Sequence, residues 1–140
     1  MNFMRHAMRP KKDVVVEARL TSMFDFLQGM VLAPPTNRER FHAIFVGVQK
    51  QYIGDASLGD GEAASLTLRM RDLFSRALSA GASGLIVAHN HPSGDCRPST
   101  CDIEATHRLS AVARALDIEL LDHLIFTTRA AYSMRAGGDI

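Results

Sequence analysis

The feature that most constrains this chain is a pair of histidines set into the end of an apolar run. Leu85-Ile86-Val87-Ala88 follows Gly84 as a short continuous apolar segment, the kind that forms a strand buried on both faces. It leads directly into His89-Asn90-His91 and stops at Pro92, which cannot donate to a strand ladder. Side chains two apart on a strand leave the same face, so both imidazoles can converge on one point. After a polar loop containing Gly94 and Pro98, Ser99-Thr100-Cys101-Asp102 opens a helix. Asp102, in the first turn, adds an anionic group. Two histidines and a carboxylate with a fourth position open are the ligand set of a catalytic zinc, which makes His89, His91 and Asp102 the candidate metal ligands.

Plainer readings exist for parts of this stretch. Ser99 followed three positions later by Asp102 is also an ordinary helix start, with a capping hydroxyl and an acid in the first turn. The two roles are compatible, because a helix terminus is a rigid mount for a ligand. A single histidine in an apolar strand is usually a satisfied core residue, whereas two on one face ahead of a proline point to a site. The same ligand set also serves non-haem iron, so the residues alone leave the metal open.

His89-Asn90-His91-Pro92, followed by Ser99 and Asp102, resembles the JAMM metalloprotease motif, His-x-His-Pro…Ser-x-x-Asp. The wider wording, Ala88-His-Asn-His-Pro-Ser-Gly-Asp95 and later Leu121-Asp-His-Leu-Ile125, is similar to the RadC branch of that superfamily, over roughly residues 15 to 136. The resemblance implies an α/β fold of the JAMM/MPN type (cytidine-deaminase-like), a mixed β-sheet flanked by about three helices. It implies Zn2+ on His89, His91 and Asp102, with Ser99 as the oxyanion donor. It also makes Glu39, directly ahead of Arg40-Phe41, the general base; from the residues alone, a glutamate among arginines reads as a solvated charge. The implied reaction is hydrolysis of a peptide or isopeptide bond in a peptide or protein-conjugate substrate. The alternative, suggested by the family's usual label, is a non-catalytic accessory module in DNA repair or mobile-element biology. RadC-type proteins usually also carry a helix-hairpin-helix region, which is not expected in this sequence. They often have Leu-Asp where Val46-Gly47 stands, and Pro-Arg-Glu where Met70-Arg71-Asp72 stands. Cys101 beside Asp102 is a further departure.

The remaining sequence builds one domain around this stretch. At 140 residues, 46% hydrophobic and 22% charged, it can bury a single core without staples. The net charge of +1 excludes an overall nucleic-acid footprint. Basic residues gather only at Arg5, Arg9, Lys11 and Lys12, so residues 1–12 read as a flexible basic tail and 13–140 as the RadC-like metal-binding domain. Any nucleic-acid contact is therefore expected to be weak. The two cysteines, Cys96 and Cys101, both lie in the metal loop, and no signal peptide or spanning segment is visible. The expected compartment is the cytoplasm, with no membrane partner and no disulfide.

Helical spacing of Leu20, Met23, Phe24, Leu27, Met30 and Val31 predicts a first helix from Asp13, ended by Pro34-Pro35. A strand over Phe41–Val48, a short return strand over Gln51–Gly54 and a loop over Gly54–Gly61 come next. Leu66, Met70, Leu73, Phe74, Ala77 and Leu78 predict a second helix closed by Gly81. Beyond the metal loop, Ile103, Leu109, Val112, Ala113 and Leu116 mark the inner side of a third helix, with His107 on the surface. Glu119–Phe126 reads as a strand interrupted by Asp122-His123, for which a structural role is favoured over a supporting role behind the ligands or at the sheet end, and Ala131–Arg135 as a short edge strand. Helices alternating with strands in this way imply a mixed α/β architecture.

Overall fold

An apolar strand with nothing polar between Leu85 and Ala88 must be covered on both faces, and the fold provides that cover. In the computed structural model, which describes residues 11–61 and 65–140, every residue of the strand Gly84–Asn90 is buried. Numbered in chain order, the described elements are α1 (Lys11–Val31), β1 (Glu39–Val46), β2 (Tyr52–Gly61), α2 (Ser65–Ala80), β3 (Gly84–Asn90), α3 (Thr100–Ala115), β4 (Glu119–Phe126) and β5 (Ala131–Ser133). The strands form one five-stranded sheet in the order β2-β1-β3-β4-β5, with β3 in the middle. β1 is antiparallel to both β2 and β3, β4 is parallel to β3, and β5 returns antiparallel on β4. Among the described residues, the mixed sheet and three helices expected from the sequence are what forms.

The layers follow from alternation along the strands. On one face, α1 lays Met23, Leu27 and Val31, four residues apart, onto Ile44, Val46, Ile86, Ala88, Leu124 and Phe126. On the other face, Leu73, Phe74 and Ala77 of α2 and Leu109 and Ala113 of α3 cover Phe41, Ala43, Leu85, Val87 and Leu120. β3, α3 and β4 make a βαβ unit, so α3 begins just past the carboxyl end of β3. α2 carries the chain from the edge strand β2 past β1 to β3, and ends where Gly81 takes φ +70° and the Ala82 N–H closes on the Ala77 carbonyl. None of the described helices is long and apolar enough to cross a membrane.

Several expectations need correction. Residues 54–61 are not a loop but the greater part of β2. Ala56 and Leu58 are buried and Ser57 between them is exposed, a strand alternation that the flanking Gly and Asp residues hide in the sequence. Pairing with β1 supplies the backbone hydrogen bonds, through two register shifts that mark bulges. Leu20, Met30, Leu78 and Leu116 face outward, because each helix meets one flat sheet face and buries a narrower stripe than periodicity suggests. Asp122 and His123 do not interrupt β4, which runs unbroken through them. Of the basic tail, Arg5 and Arg9 lie outside the described residues, while Lys11 and Lys12 open α1.

Leu85 is fully buried at the centre of the sheet, against α2 and α3. Leu85→Ala should therefore lower the unfolding free energy by about 3 kcal/mol, the usual cost of a core Leu truncation. Urea denaturation at an unchanged m-value would report it, and a loss under about 1 kcal/mol would contradict this placement.

Candidate metal centre

The carboxyl end of β3 is where the elements carrying titratable groups meet. His89, on the α2/α3 face of β3, is fully buried, and Phe41 of β1, its partner in the strand register, stacks on its ring with centroids 4.8 Å apart. Arg69 of α2 also lies over the Phe41 ring, 5.1 Å from its centre. His91 is past the end of the strand, yet its N–H donates to the Phe126 carbonyl of β4 at 2.9 Å, so it keeps the strand's course for one more residue. The two Nε2 atoms come within 3.0 Å of each other.

Asp102 arrives from α3. Ser99 Oγ accepts the Asp102 N–H at 3.0 Å while Asp102 Oδ2 accepts the Ser99 N–H at 2.9 Å, a reciprocal capping box. The same carboxylate reaches both imidazoles, with Oδ2 at 3.1 Å from His91 Nε2 and Oδ1 at 3.4 Å from His89 Nε2. The helix-start reading and the site reading of Ser99 and Asp102 thus describe one geometry.

Glu39 completes the group. As the first residue of β1 it stands two positions before Phe41, and its Oε1 lies 3.6 Å from His89 Nε2. Asn90, only 1% exposed, brackets it: its side chain accepts the Arg40 N–H at 2.6 Å and donates to the Arg38 carbonyl at 2.9 Å. The main chain on either side of Glu39 is therefore fastened to the histidine strand. Glu39, His89, His91 and Asp102 form one group of metal-ligating type, with ligand atoms all within 4.8 Å of one another. Glu39, His91 and Asp102 line a cleft of about 610 Å³ together with Ser99, Ser93 and Arg97, and His89 is fully buried beside them.

The donor chemistry fits a cation. His91 Nδ1 faces the Asp95 carbonyl at 2.8 Å, and a carbonyl only accepts, so the proton belongs on Nδ1 and the Nε2 lone pair turns inward. Hydrogen bonding to Asp102 raises the His91 pKa against the opposing effect of burial. For Asp102, burial works to raise the pKa, but its contacts with the His89 and His91 imidazoles and with the Ser99 N–H outweigh it and hold the carboxyl well below the usual range. Glu39 goes the other way: burial pushes it above the ordinary glutamate value, Asp102 adds to that, and His89 and His91 pull against it. The loop between them is braced by Asp95, which Arg97 holds at a pKa of about 2.

Two further residues of the neighbourhood, one that the sequence favours as structural over a supporting role behind the ligands and one that it does not single out, lie against the site. His123 of β4 is fully buried with its Nε2 2.7 Å from His89 Nδ1, and burial keeps its pKa well below the ordinary histidine value. Thr106 of α3, also buried, lies 2.7 Å from His123 Nδ1. Asp122 has the structural role expected, accepting from the His123 and Arg135 N–H groups and the Ser133 hydroxyl. His107 is exposed and bonded to the Asp139 carbonyl, away from the cluster. Cys96 and Cys101 are free thiols.

Comparison with known proteins gives a concordant result. A family model described as the RadC-like JAB domain matches residues 16–139. A UPF0758 protein of Halalkalibacterium halodurans is 36% identical over 104 residues, covering 74% of this chain and 45% of that protein. Another, from Flavobacterium johnsoniae, is 34% identical over 125 residues, 87% of this chain and 54% of its own length. A third, from Trichormus variabilis, is 40% identical over 99 residues, 71% and 41% respectively. The chain spans about half the length of the curated relatives it matches.

The purified chain should take up about one divalent ion, read by elemental analysis, and His91→Ala or Asp102→Ala should remove most of it. Because the His91 pKa is raised, its proton persists to higher pH than on an ordinary histidine and competes with the ion. Affinity should therefore fall as pH is lowered through that raised value and recover above it. Asp102 stays ionised throughout and adds no dependence in this window. Uptake that is insensitive to both substitutions would refute the assignment.

Proposed function

The chain belongs to the RadC-like JAB domain family, and we propose that within it this chain is a zinc-dependent hydrolase of peptide or isopeptide bonds. The observation that carries this reading is the convergence of Glu39, from a strand some fifty residues away in sequence, on His89, His91 and Asp102, with all but the buried His89 lining one cleft. A metal-binding protein needs only the last three. A carboxylate raised in pKa beside them is what a hydrolase adds.

His89 Nε2, His91 Nε2 and the Asp102 carboxylate are the groups that would hold the ion. When bound, Zn2+ supplies Lewis acidity, polarising a carbonyl and bringing the pKa of water to about 7. Glu39 accepts the proton of the attacking water and returns it to the leaving amine, a task suited to a carboxyl whose burial has raised its pKa. Ser99 accepts the Asp102 N–H with its oxygen, which leaves its own proton free for the oxygen that becomes negative during attack. Such a donor contributes on the order of 3 kcal/mol in the transition state. Zinc is preferred over iron because a proton acceptor and an oxyanion donor serve hydrolysis and have no evident use in oxygen chemistry.

The substrate proposed is an extended peptide or a protein conjugate, the setting cytoplasmic, and any contact with nucleic acid weak and confined to the basic residues Arg5, Arg9, Lys11 and Lys12. The alternative, a non-catalytic accessory module, needs the metal group but not its base.

Zinc-loaded protein incubated with fluorogenic peptide and isopeptide-linked libraries should release amine. Glu39→Gln should keep its zinc and lose about 10²- to 10⁴-fold in rate, and Ser99→Ala about 10²- to 10³-fold. Equal rates for wild type and Glu39→Gln, or no turnover of any library by the loaded wild type, would leave the accessory-module reading in its place.

A further inference from the structure

Behind the cluster, on the side away from the cleft, is a row of buried polar groups that the proposed chemistry does not use. His89 Nδ1 meets His123 Nε2 at 2.7 Å, and His123 Nδ1 meets Thr106 Oγ1 at 2.7 Å. Thr106 Oγ1 then donates to the Asp102 carbonyl at 2.6 Å. Both ends of the row are residues of the metal-ligating group, and the middle is supplied by β4 and α3.

The partners admit one arrangement of protons. The Asp102 carbonyl only accepts, so the Thr106 hydroxyl proton points to it; the Met134 sulfur, at 3.5 Å, is a much weaker acceptor. Thr106 Oγ1 is then an acceptor toward His123, which must carry its proton on Nδ1. Neutral His123 consequently presents a lone pair at Nε2, and His89 must donate to it from Nδ1. Neutral His89 is left with its lone pair on Nε2, the nitrogen that faces His91, Asp102 and Glu39. Reversing the row would set the Thr106 oxygen and the Asp102 carbonyl lone pair to lone pair at 2.6 Å, in a place where His89, His123 and Thr106 are all fully buried.

We infer that His123 and Thr106 are positioning residues, which fix the tautomer and ring orientation of His89 so that its Nε2 is ready to accept a metal ion. This rests on the metal-site reading of the cluster and extends it to two residues that touch neither ion nor substrate. It also explains why a polar pair sits in a core layer otherwise made of Leu, Val and Phe: an apolar residue at 123 would fill the space and leave His89 free to hold its proton on either nitrogen.

The test uses the full chain. In metal-free, ¹⁵N-labelled protein at neutral pH, long-range ¹H–¹⁵N spectra should show His89 protonated at Nδ1 and unprotonated at Nε2, and His123 likewise. Zinc affinity, measured by competition with a chromophoric chelator, should fall about 10- to 100-fold in His123→Phe. His123→Gln should recover most of that, since an amide can accept from His89 and donate to Thr106, and Thr106→Val should weaken binding less than His123→Phe. Zinc affinity equal to wild type in both His123→Phe and Thr106→Val, or a His89 proton on Nε2, would overturn the inference. Should His123→Phe not fold, Thr106→Val and the tautomer spectrum still decide. Should wild type bind no zinc, the metal reading fails, and the spectrum of the metal-free chain judges the relay independently.

Discussion

The site depends on one alignment, the antiparallel pairing that sets Phe41 of β1 opposite His89 of β3. Residues two apart on a strand share a face, so with Phe41 stacked on the His89 ring, Glu39 emerges on the same side just past the end of the imidazole. A slip of one residue would turn Glu39 to the α1 face and bring Arg40 in its place. That slip is prevented far from the site. Both faces of β1 are buried, Ala43 and Phe45 under α2 and Ile44 and Val46 under α1, so moving the strand would expose or misplace every one of them. The geometry of the cluster is held by ordinary apolar packing on two sides of a sheet.

Two carboxylates and two imidazoles gathered within 4.8 Å are a local conflict that a folding sequence would otherwise avoid. The conflict separates the two acids: Asp102, hydrogen-bonded from several sides, is held ionised, while Glu39, buried with fewer partners, holds its proton more tightly. Two carboxyl groups a few ångströms apart thereby differ in how readily each takes up a proton, the division of labour that the proposed hydrolysis would use. Asp102 manages its own part because it is also a cap. The same oxygen that faces His91 accepts the Ser99 N–H, so the helix start and the charge arrangement favour the same rotamer.

What could be read in the sequence was what is local. His89 and His91 two apart at a strand end, a proline behind them, and Ser99 with Asp102 at a helix start are all short-range patterns, and the structure brings these residues together. What could not be read depends on strand pairing. Glu39 looks like a surface charge until β1 lies against β3, and only the family resemblance pointed to it. β2 extends through Gly54–Gly61 because β1 completes its hydrogen bonds, against the local turn composition. His123 was hidden by a bulge: the register skips Leu121, so Leu120 and His123 share the α3 face although they are three positions apart. Simple alternation from Leu120 would have sent His123 to the α1 side, away from His89. Thr106 gives no signal in the sequence, being one buried hydroxyl within the helical stripe of α3.

Asn90 stands between the two histidines, and its amide ties down the chain on both sides of Glu39. The first residue of a strand is ordinarily where a sheet begins to fray. Here fraying at residue 39 would have to break two bonds in a buried place and leave the Asn90 amide with nothing to bind. The open state that is cheapest elsewhere in a sheet is therefore costly at this corner. In consequence the main chain that carries Glu39 cannot peel away while the histidine strand stays in place: the triplet His89-Asn90-His91 ties the start of β1 to the end of β3. A chain built this way has little access to a half-assembled form that would grip a cation yet lack the carboxylate beside it.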